Sequence, residues 1–478
     1  MRKNNPIQNI SLALLMVASL SSCEKLITAD EPTDTITTVK IFDTEAKAEM
    51  AIAGAYNSMI NGNGQDVYSS AYGSFAAGLA SIAGGYAAGE LINFNNSLNA
   101  NEYVLVTSKM TATNTTIPRS LWSSCYYVIY NANTVIEGIS ASTSPKLRDS
   151  VRKEIIAEAK FIRAFCYFYL VNFFGDLPIA LSGDFNNTAS LSRSPVQEVY
   201  KQIMADLKDA EAGLAADYSV GRGKRVRVNK YAAIALQARV HLFLGENELA
   251  AARATDVINH TTLYNLEPNI EDVFRTTSKE AIFQLMQTEK DNVLRNATPF
   301  GYSSNNYLLQ QGLLDLFETG DLRKQFWIRN NNLVNKYTII NTNAVVGAPA
   351  REYYMALRLG ELYLIRAEAR ANGAAGGLTG AIEDLNALRR RADIDELDET
   401  LGETDVKAAI EKERQTELFA EWGSRWFDLK RTGKALEVLN AMPLKQPWEG
   451  DHQLLMPLPP DEISRNNKII QNPGYTSL

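Results

Sequence analysis

The stretch "NKYAAIALQARVHLFLGENELAAARATDVIN" (229–259) decides the fold. Its apolar residues recur at helical spacing on both sides of Gly245, so it reads as two helices hinged at that glycine. The stretch "LRLGELYLIRAEARANGAAGGLTGAIEDLNALRRRAD" (357–393) reads the same way, hinged around Asn372 to Gly377. At an offset of 129 positions, Leu236 falls on Ile365, Ala238 on Ala367, Leu249 on Leu378 and Ala252 on Ala381. Alanine at such positions lets two helices approach closely, and a repeated pair points to stacking.

Working outward, "LWSSCYYVIYNANTVIEGI" (121–139) carries one apolar stripe through Leu121, Cys125, Val128, Ala132, Val135 and Ile139. Cys125 belongs to that stripe as a small buried hydrophobe. "SVRKEIIAEAKFIRAFCYFYLVNFFGDLP" (150–178) starts amphipathic and becomes apolar all round, the mark of a central helix. Gly175 and Pro178 stop it. Its aromatics, Phe161, Phe165, Tyr167, Phe168, Tyr169, Phe173 and Phe174, read as core. Ser194, Pro195 and Gln197 read as cap, first position and capping-box partner of the next helix. "TEAKAEMAIAGAYNSMI" (44–60) is a helix capped by Thr44. Residues 61–118 and 260–350 show little sustained period, apart from a helical signal over 310–327. A charged helix begins near 405 and ends near Trp422-Gly423, with another after it. So long an irregular segment as 61–118 is either functional surface or unrecognised helix. Paired helices of this kind are what tetratricopeptide-type repeats use.

With 45% apolar and 22% charged residues, the composition is that of a folded protein. A net charge of -7 excludes the basic footprint of a nucleic-acid binder. Three cysteines, Cys23, Cys125 and Cys166, exclude a disulfide framework. The start combines Arg2 and Lys3 with the apolar run Ile10 to Leu20, too short to span a membrane, and reads as a secretory signal. Leu20-Ser21-Ser22-Cys23 resembles the lipobox of bacterial lipoproteins, which implies cleavage before Cys23 and lipidation of its sulfur. The expected organisation is a signal (1–22), a tether (23–43), an N-terminal helix-pair region (44–260) and a C-terminal region (261–478) completing the same body.

Six ordered blocks carry a wider resemblance: "AEAKFIRAFCYFYLVNFFGDLPI", "KYAAIALQARVHLFLG", "LRLGELYLIRAEA", "AIEDLNALRRRAD", "EKERQTELFAEWGSRWFDLKR" and "LLMPLPPDEISRNNKIIQNPGY". Together they resemble the SusD/RagB family of outer-membrane lipoproteins of Bacteroidetes. The resemblance implies a mainly α fold, with four tetratricopeptide-like helix pairs forming a right-handed superhelical scaffold and an irregular, loop-rich second face bearing the ligand site. It also implies a partner, a SusC-like TonB-dependent β-barrel transporter over which the lipoprotein sits as a lid. Only the lipid anchor would touch a membrane. Glu24 fits the acidic surface-export signal of these bacteria, although Lys25 follows it. Residues 61–118 depart most from the family pattern.

No catalytic constellation emerges. His241, His260 and His452 form no metal-binding spacing, and His241 reads as a core or edge histidine. "GRGKRVRVNK" (221–230) lacks the order of a phosphate loop and reads as a solvated basic loop. Glu413, Glu417 and Glu421 share a helix face; paired acids can hydrolyse glycosides, but beside Arg414 and Arg425 they read as a structural ion-pair helix. A calcium ion occurs near the sugar site of some members of the resembled family, yet no dense acidic loop predicts one, so no cofactor is expected.

A sugar ring has an apolar side, so oligosaccharides are held on aromatic faces, with amides bonding the hydroxyls. The candidate ligand residues are therefore aromatics in irregular segments: Tyr68, Tyr72, Phe75 and Tyr86, then Phe300, Tyr302, Tyr307 and Trp327, with Asn305 and Asn306 beside Tyr307. Three functions follow: capture of a glycan for import, capture of peptides as in the RagB branch, or a helical-repeat scaffold or adhesin.

Overall fold

The computed structural model describes residues 42–62, 74–93, 100–113, 115–286, 307–338 and 352–475. The lipidation position Cys23 and the site candidates Tyr68, Tyr72, Phe300, Tyr302, Asn305 and Asn306 lie outside the described residues.

The longer helices are α1 (Glu45–Asn61), α2 (Ala80–Ala88), α3 (Ala100–Val106), α4 (Thr116–Ala141), α5 (Asp149–Phe174), α6 (Val196–Gly213), α7 (Lys230–Phe243), α8 (Asn247–Ile258), α9 (Leu359–Ala371), α10 (Gly377–Arg391), α11 (Glu403–Leu418) and α12 (Ser424–Arg431). Each packs on its neighbour from α4 to α10, and α11 closes against α9 and α10. The two hinged pairs are α7–α8 and α9–α10, and they stack through α8 against α9, although residues 259–358 intervene. In the first helix of each pair the predicted equivalence holds, with Leu236, Ala238, Ile365 and Ala367 fully buried. In the second helix it fails: Ala381 is buried, but Ala252 is exposed and Leu249 is 48% exposed. The face that α10 turns to the core is not the one α8 uses.

All six residues of the predicted stripe on α4 are buried, and so are the seven aromatics of α5. Phe165 is the centre of the latter group, with ring centroids 5.0 Å from Tyr169 and 5.2 Å from Trp422. Cys125 and Cys166 are free, buried thiols on the facing helices α4 and α5. Burial, and then the neighbouring Cys166, push the Cys125 thiol well up, away from reactivity.

Local signals fail where a distant group supplies the contact. The first turn of α6 is capped by Asp176, whose carboxylate accepts the Val196 N–H at 3.0 Å, while Ser194 instead pairs with Leu177. The basic loop is only partly solvated, because Arg227 is ion-paired with Glu158 and Glu49 and Arg225 donates to the Leu263 carbonyl at 2.7 Å. The signal over 310–327 resolves into two short helices, Gln311–Leu314 and Leu322–Trp327, separated at Gly320 with φ +91°. The charged helix α11 stops at Leu418, and Ala420, Trp422 and Gly423 all take positive φ before α12 begins.

Much of 61–118 is helical. A π turn (Phe75–Leu79) leads into α2, "ASIAGGYAA", whose every residue is buried. A Cβ on Gly84 would collide with the Gly423 backbone, so glycine is what allows α2 to cross the start of α12. Two small sheets complete the fold. In the first, β1 (Leu91–Asn93), β3 (Tyr307–Leu309), β5 (Leu333–Val334) and β4 (Ile328–Arg329) pair in that order, all antiparallel. In the second, β2 (Ala281–Leu285) pairs antiparallel with β6 (Tyr354–Arg358).

Candidate functional site

The sheets lie where the described chain repeatedly leaves and returns. Asn93, the last described residue before 100, pairs with Tyr307, the first after 286. Leu285 pairs with Tyr354, and the Glu352 carboxylate accepts the Thr338 N–H at 3.1 Å across the remaining break. Tyr337, just past β5, packs on β6, with its ring 5.9 Å from Tyr354 and its hydroxyl accepting the Met355 N–H at 3.0 Å.

Of the candidate aromatics that are described, Tyr307 alone is half-buried rather than enclosed. Its ring lies 6.0 Å from that of Tyr86, which backs it from the core side. Tyr86 and Phe75 are fully buried and Trp327 is 2% exposed, so none of these three offers a ring face to a sugar, a correction to the sequence reading. Phe75 is core because its ring packs against Phe165, Tyr169 and Trp422. Trp327 is core because its indole donates to the Ile270 carbonyl at 3.1 Å and its ring roofs a buried charge cluster, with the Lys336 ammonium 4.8 Å away.

That cluster ties β6 to α11 and to Glu421, just past the end of that helix. Glu417 of α11 receives Arg391 through both carboxyl oxygens at 2.6 Å, Arg358 of β6 at 2.5 Å and Arg323 at 3.3 Å. Glu421 accepts Arg358 at 2.8 Å and Lys336 at 2.5 Å, and Glu413 accepts Arg323. Burial alone would raise Glu417, but the guanidinium groups of Arg391, Arg358 and Arg323 outweigh it and hold the carboxyl well below its usual range. Burial pushes Lys336 down to about 8 despite Glu421. The predicted reading of Glu413, Glu417 and Glu421 as ion-pair residues therefore stands. Each is committed to cations beneath the surface, so they cannot serve as a hydrolytic pair. His241 is 8% exposed and bonds Glu246 at 2.5 Å. Among the described residues no group of three or more His, Cys, Asp or Glu could hold a metal ion.

A stack of helix pairs carrying a small sheet over buried ion pairs is a tetratricopeptide-like helical scaffold. The chain belongs to the SusD family, whose model matches residues 210–475. A second model, described as "Starch-binding associating with outer membrane", matches residues 31–242. SusD-like protein P2 of Formosa agariphila is 26% identical over 74% of this chain and 80% of its own length. SusD-like protein P25 of the same organism is 23% identical over 98% of this chain and 99% of its own. A solved "Laminarin binding SusD-like protein" covers 91% of this chain and 100% of its own, with TM-score 0.72 and 23% identity. Surface glycan-binding protein A from Bacteroides thetaiotaomicron, solved with laminarihexaose, covers 90% of this chain and 99% of its own, with TM-score 0.73 and 19% identity.

Proposed function

We propose that this protein captures an oligosaccharide at the outer membrane and delivers it to a SusC-like TonB-dependent transporter, held there by lipid on Cys23. The observation that carries the capture step is Tyr307: a half-buried ring, backed by Tyr86, at the end of the β1–β3 ladder opposite Asn93. A ring fixed from behind presents a face to a sugar with little further ordering cost. Support comes also from the laminarin and laminarihexaose binders that share the fold. The lipobox and the outer-membrane description of the N-terminal family model support the location. Among the described residues no helix is long and apolar enough to cross a membrane, which fits a lipid anchor. The role is binding rather than catalysis, consistent with the sequestered acids of α11.

Isothermal calorimetry tests this reading, with the protein titrated against laminarin, laminarihexaose, other polysaccharides and a peptide digest. Heat with one glycan, weakened about threefold to tenfold in Tyr307→Ala, is the expected result. Heat with peptides alone would replace glycan capture with peptide capture.

A further inference from the structure

At the other end of the β1–β3 ladder from Tyr307, about 10 Å along the strand, lies a cavity of about 350 Å³. It is formed where the α2–β1 corner, the turn after β3, α11, α12 and the segment 438–445 meet. Its volume is at the lower end of the roughly 300–1,000 Å³ typical of small-molecule sites, enough for one or two sugar units and not for a longer chain.

Four polar side chains line it with hydrogen-bonding capacity left over. Glu90 is 8% exposed; one carboxyl oxygen accepts the Ala420 N–H at 2.8 Å, and among the described residues nothing bonds the other. Gln310, whose backbone N–H donates to the Glu90 carbonyl at 2.9 Å, has no side-chain partner among the described residues. Gln415 spends only its amide N–H, on the Glu411 carbonyl. Arg425 gives one guanidinium nitrogen to Glu411 at 2.9 Å. The second Glu90 carboxyl oxygen is thus left to accept from whatever enters the cavity. The rest of the lining is apolar, including Leu91, Val106, Leu313, Leu316 and Met442. Lys445, also on the wall, turns its ammonium away, onto the carbonyls of Tyr86 and Val106 at 3.0 Å. Among the described residues no aromatic ring lines the cavity, and the Arg425 charge already has an acidic partner in Glu411.

We infer that this cavity is a second sugar site, separate from Tyr307, which takes a single neutral pyranose unit or a disaccharide. A hydroxyl both donates and accepts, so neighbouring hydroxyls can donate to Glu90 and accept from Arg425 while the two glutamine amides take others. The C–H side of the ring lies on the leucine and methionine wall. A cation would meet Arg425, and an anion would meet Glu90; a neutral polyol satisfies both. Only the choice of sugar as the polyol rests on the proposed glycan function.

The test uses methyl glycosides of glucose, galactose and mannose, with cellobiose and laminaribiose, titrated into the protein and three variants. Gly312 lines the cavity and a Cβ there meets nothing within 4 Å, so a larger side chain starts in open space and Gly312→Phe is chosen to fill the cavity. Glu90→Gln keeps the shape and an acceptor for Ala420. Expected is saturable binding of at least one of these sugars, lost in Gly312→Phe, weakened about tenfold or more in Glu90→Gln, and unchanged in Tyr307→Ala. Binding lost in Tyr307→Ala but kept in Gly312→Phe would overturn the inference, as would no saturable binding to the parent. Laminarihexaose and polysaccharide titrations of the parent judge the broader function separately. Heat from those without binding of the small sugars removes the second site and leaves glycan capture standing.

Discussion

Glu417→Gln isolates what the buried charge cluster contributes. The substitution preserves shape but removes one negative charge from among Arg391, Arg358 and Arg323, all within hydrogen-bonding distance of a fully buried carboxylate. The remaining acids already have partners: Glu413 and Asp321 hold Arg323, Glu421 holds Arg358 and Lys336, and Glu280 holds Arg391. A reserve acceptor lies nearby, since the second Glu280 oxygen has no hydrogen-bond partner and is 3.7 Å from Arg358. Orphaning a buried charge outright costs about 3–5 kcal/mol; because each arginine keeps another carboxylate, the expected loss is about 1.5–3 kcal/mol. Urea unfolding followed by far-UV circular dichroism, with tryptophan fluorescence in parallel, measures the loss. Trp327 is a useful reporter, since Lys336, Arg391 and Arg358 all lie within 6 Å of its ring. Glu403→Gln, an exposed residue of the same helix paired with Lys407, should leave the midpoint where it is. The sign with pH follows from the depressed Glu417 carboxyl: its stabilisation is present above the ordinary carboxylate range and is lost as pH falls through the folded value. The deficit of Glu417→Gln should therefore persist from about pH 8 down to pH 5 and narrow only in stronger acid. A loss below about 1 kcal/mol would refute the view that these acids act as a structural lock.

Other consequences are directly measurable. Burial pushes Glu90 up to about 7 from its ordinary 4.5, against the Ala420 N–H, Lys336 and Arg425 and helped by Glu421. Its ionisation thus destabilises the fold as pH rises through that window, and Glu90→Gln should be more stable than the parent at pH 8, by up to about 3 kcal/mol, with most of the gain gone by pH 5. A gain that grew in acid would reverse the sign and sink this account of Glu90. Gly84→Ala should lower stability by about 1–3 kcal/mol through collision with the Gly423 backbone, seen as a lower thermal midpoint. Cys23→Ala should move the protein from the membrane to the soluble fraction on a fractionation blot, and tagged parent protein in mild detergent should co-purify a large β-barrel. Retention of the variant in membranes would contradict lipid tethering at Cys23.

The helical half of the molecule was legible because large apolar residues announce their period. Leu121, Val128, Val135 and Ile139 mark the buried face of α4 without help from any other element. Helix α2 was not legible, since alanine, serine and glycine carry almost no contrast between faces. Its burial is caused by Gly423, far along the chain. Phe75, Tyr86 and Trp327 misled for a related reason: an aromatic outside a periodic stretch shows its size but not its solvent exposure, which other segments decide. The cap of α6 came from Asp176 rather than Ser194 because tertiary placement overrode a sound local signal. The cavity residues Glu90, Gln310, Gln415 and Arg425 share no motif at all. Their convergence exists only once β1 has paired with β3 and α11 has docked.

Helices α8 and α9 stack directly, yet residues 259–358 leave from the end of one and return at the start of the other. Closing so long an excursion costs an entropy that grows only slowly with its length. The excursion is nonetheless riveted to the helical frame, since it supplies Arg323, Lys336 and Arg358 to the acids of α11 and Phe283 to the aromatics of α5. Changes of length that the frame tolerates are therefore confined to stretches between those rivets.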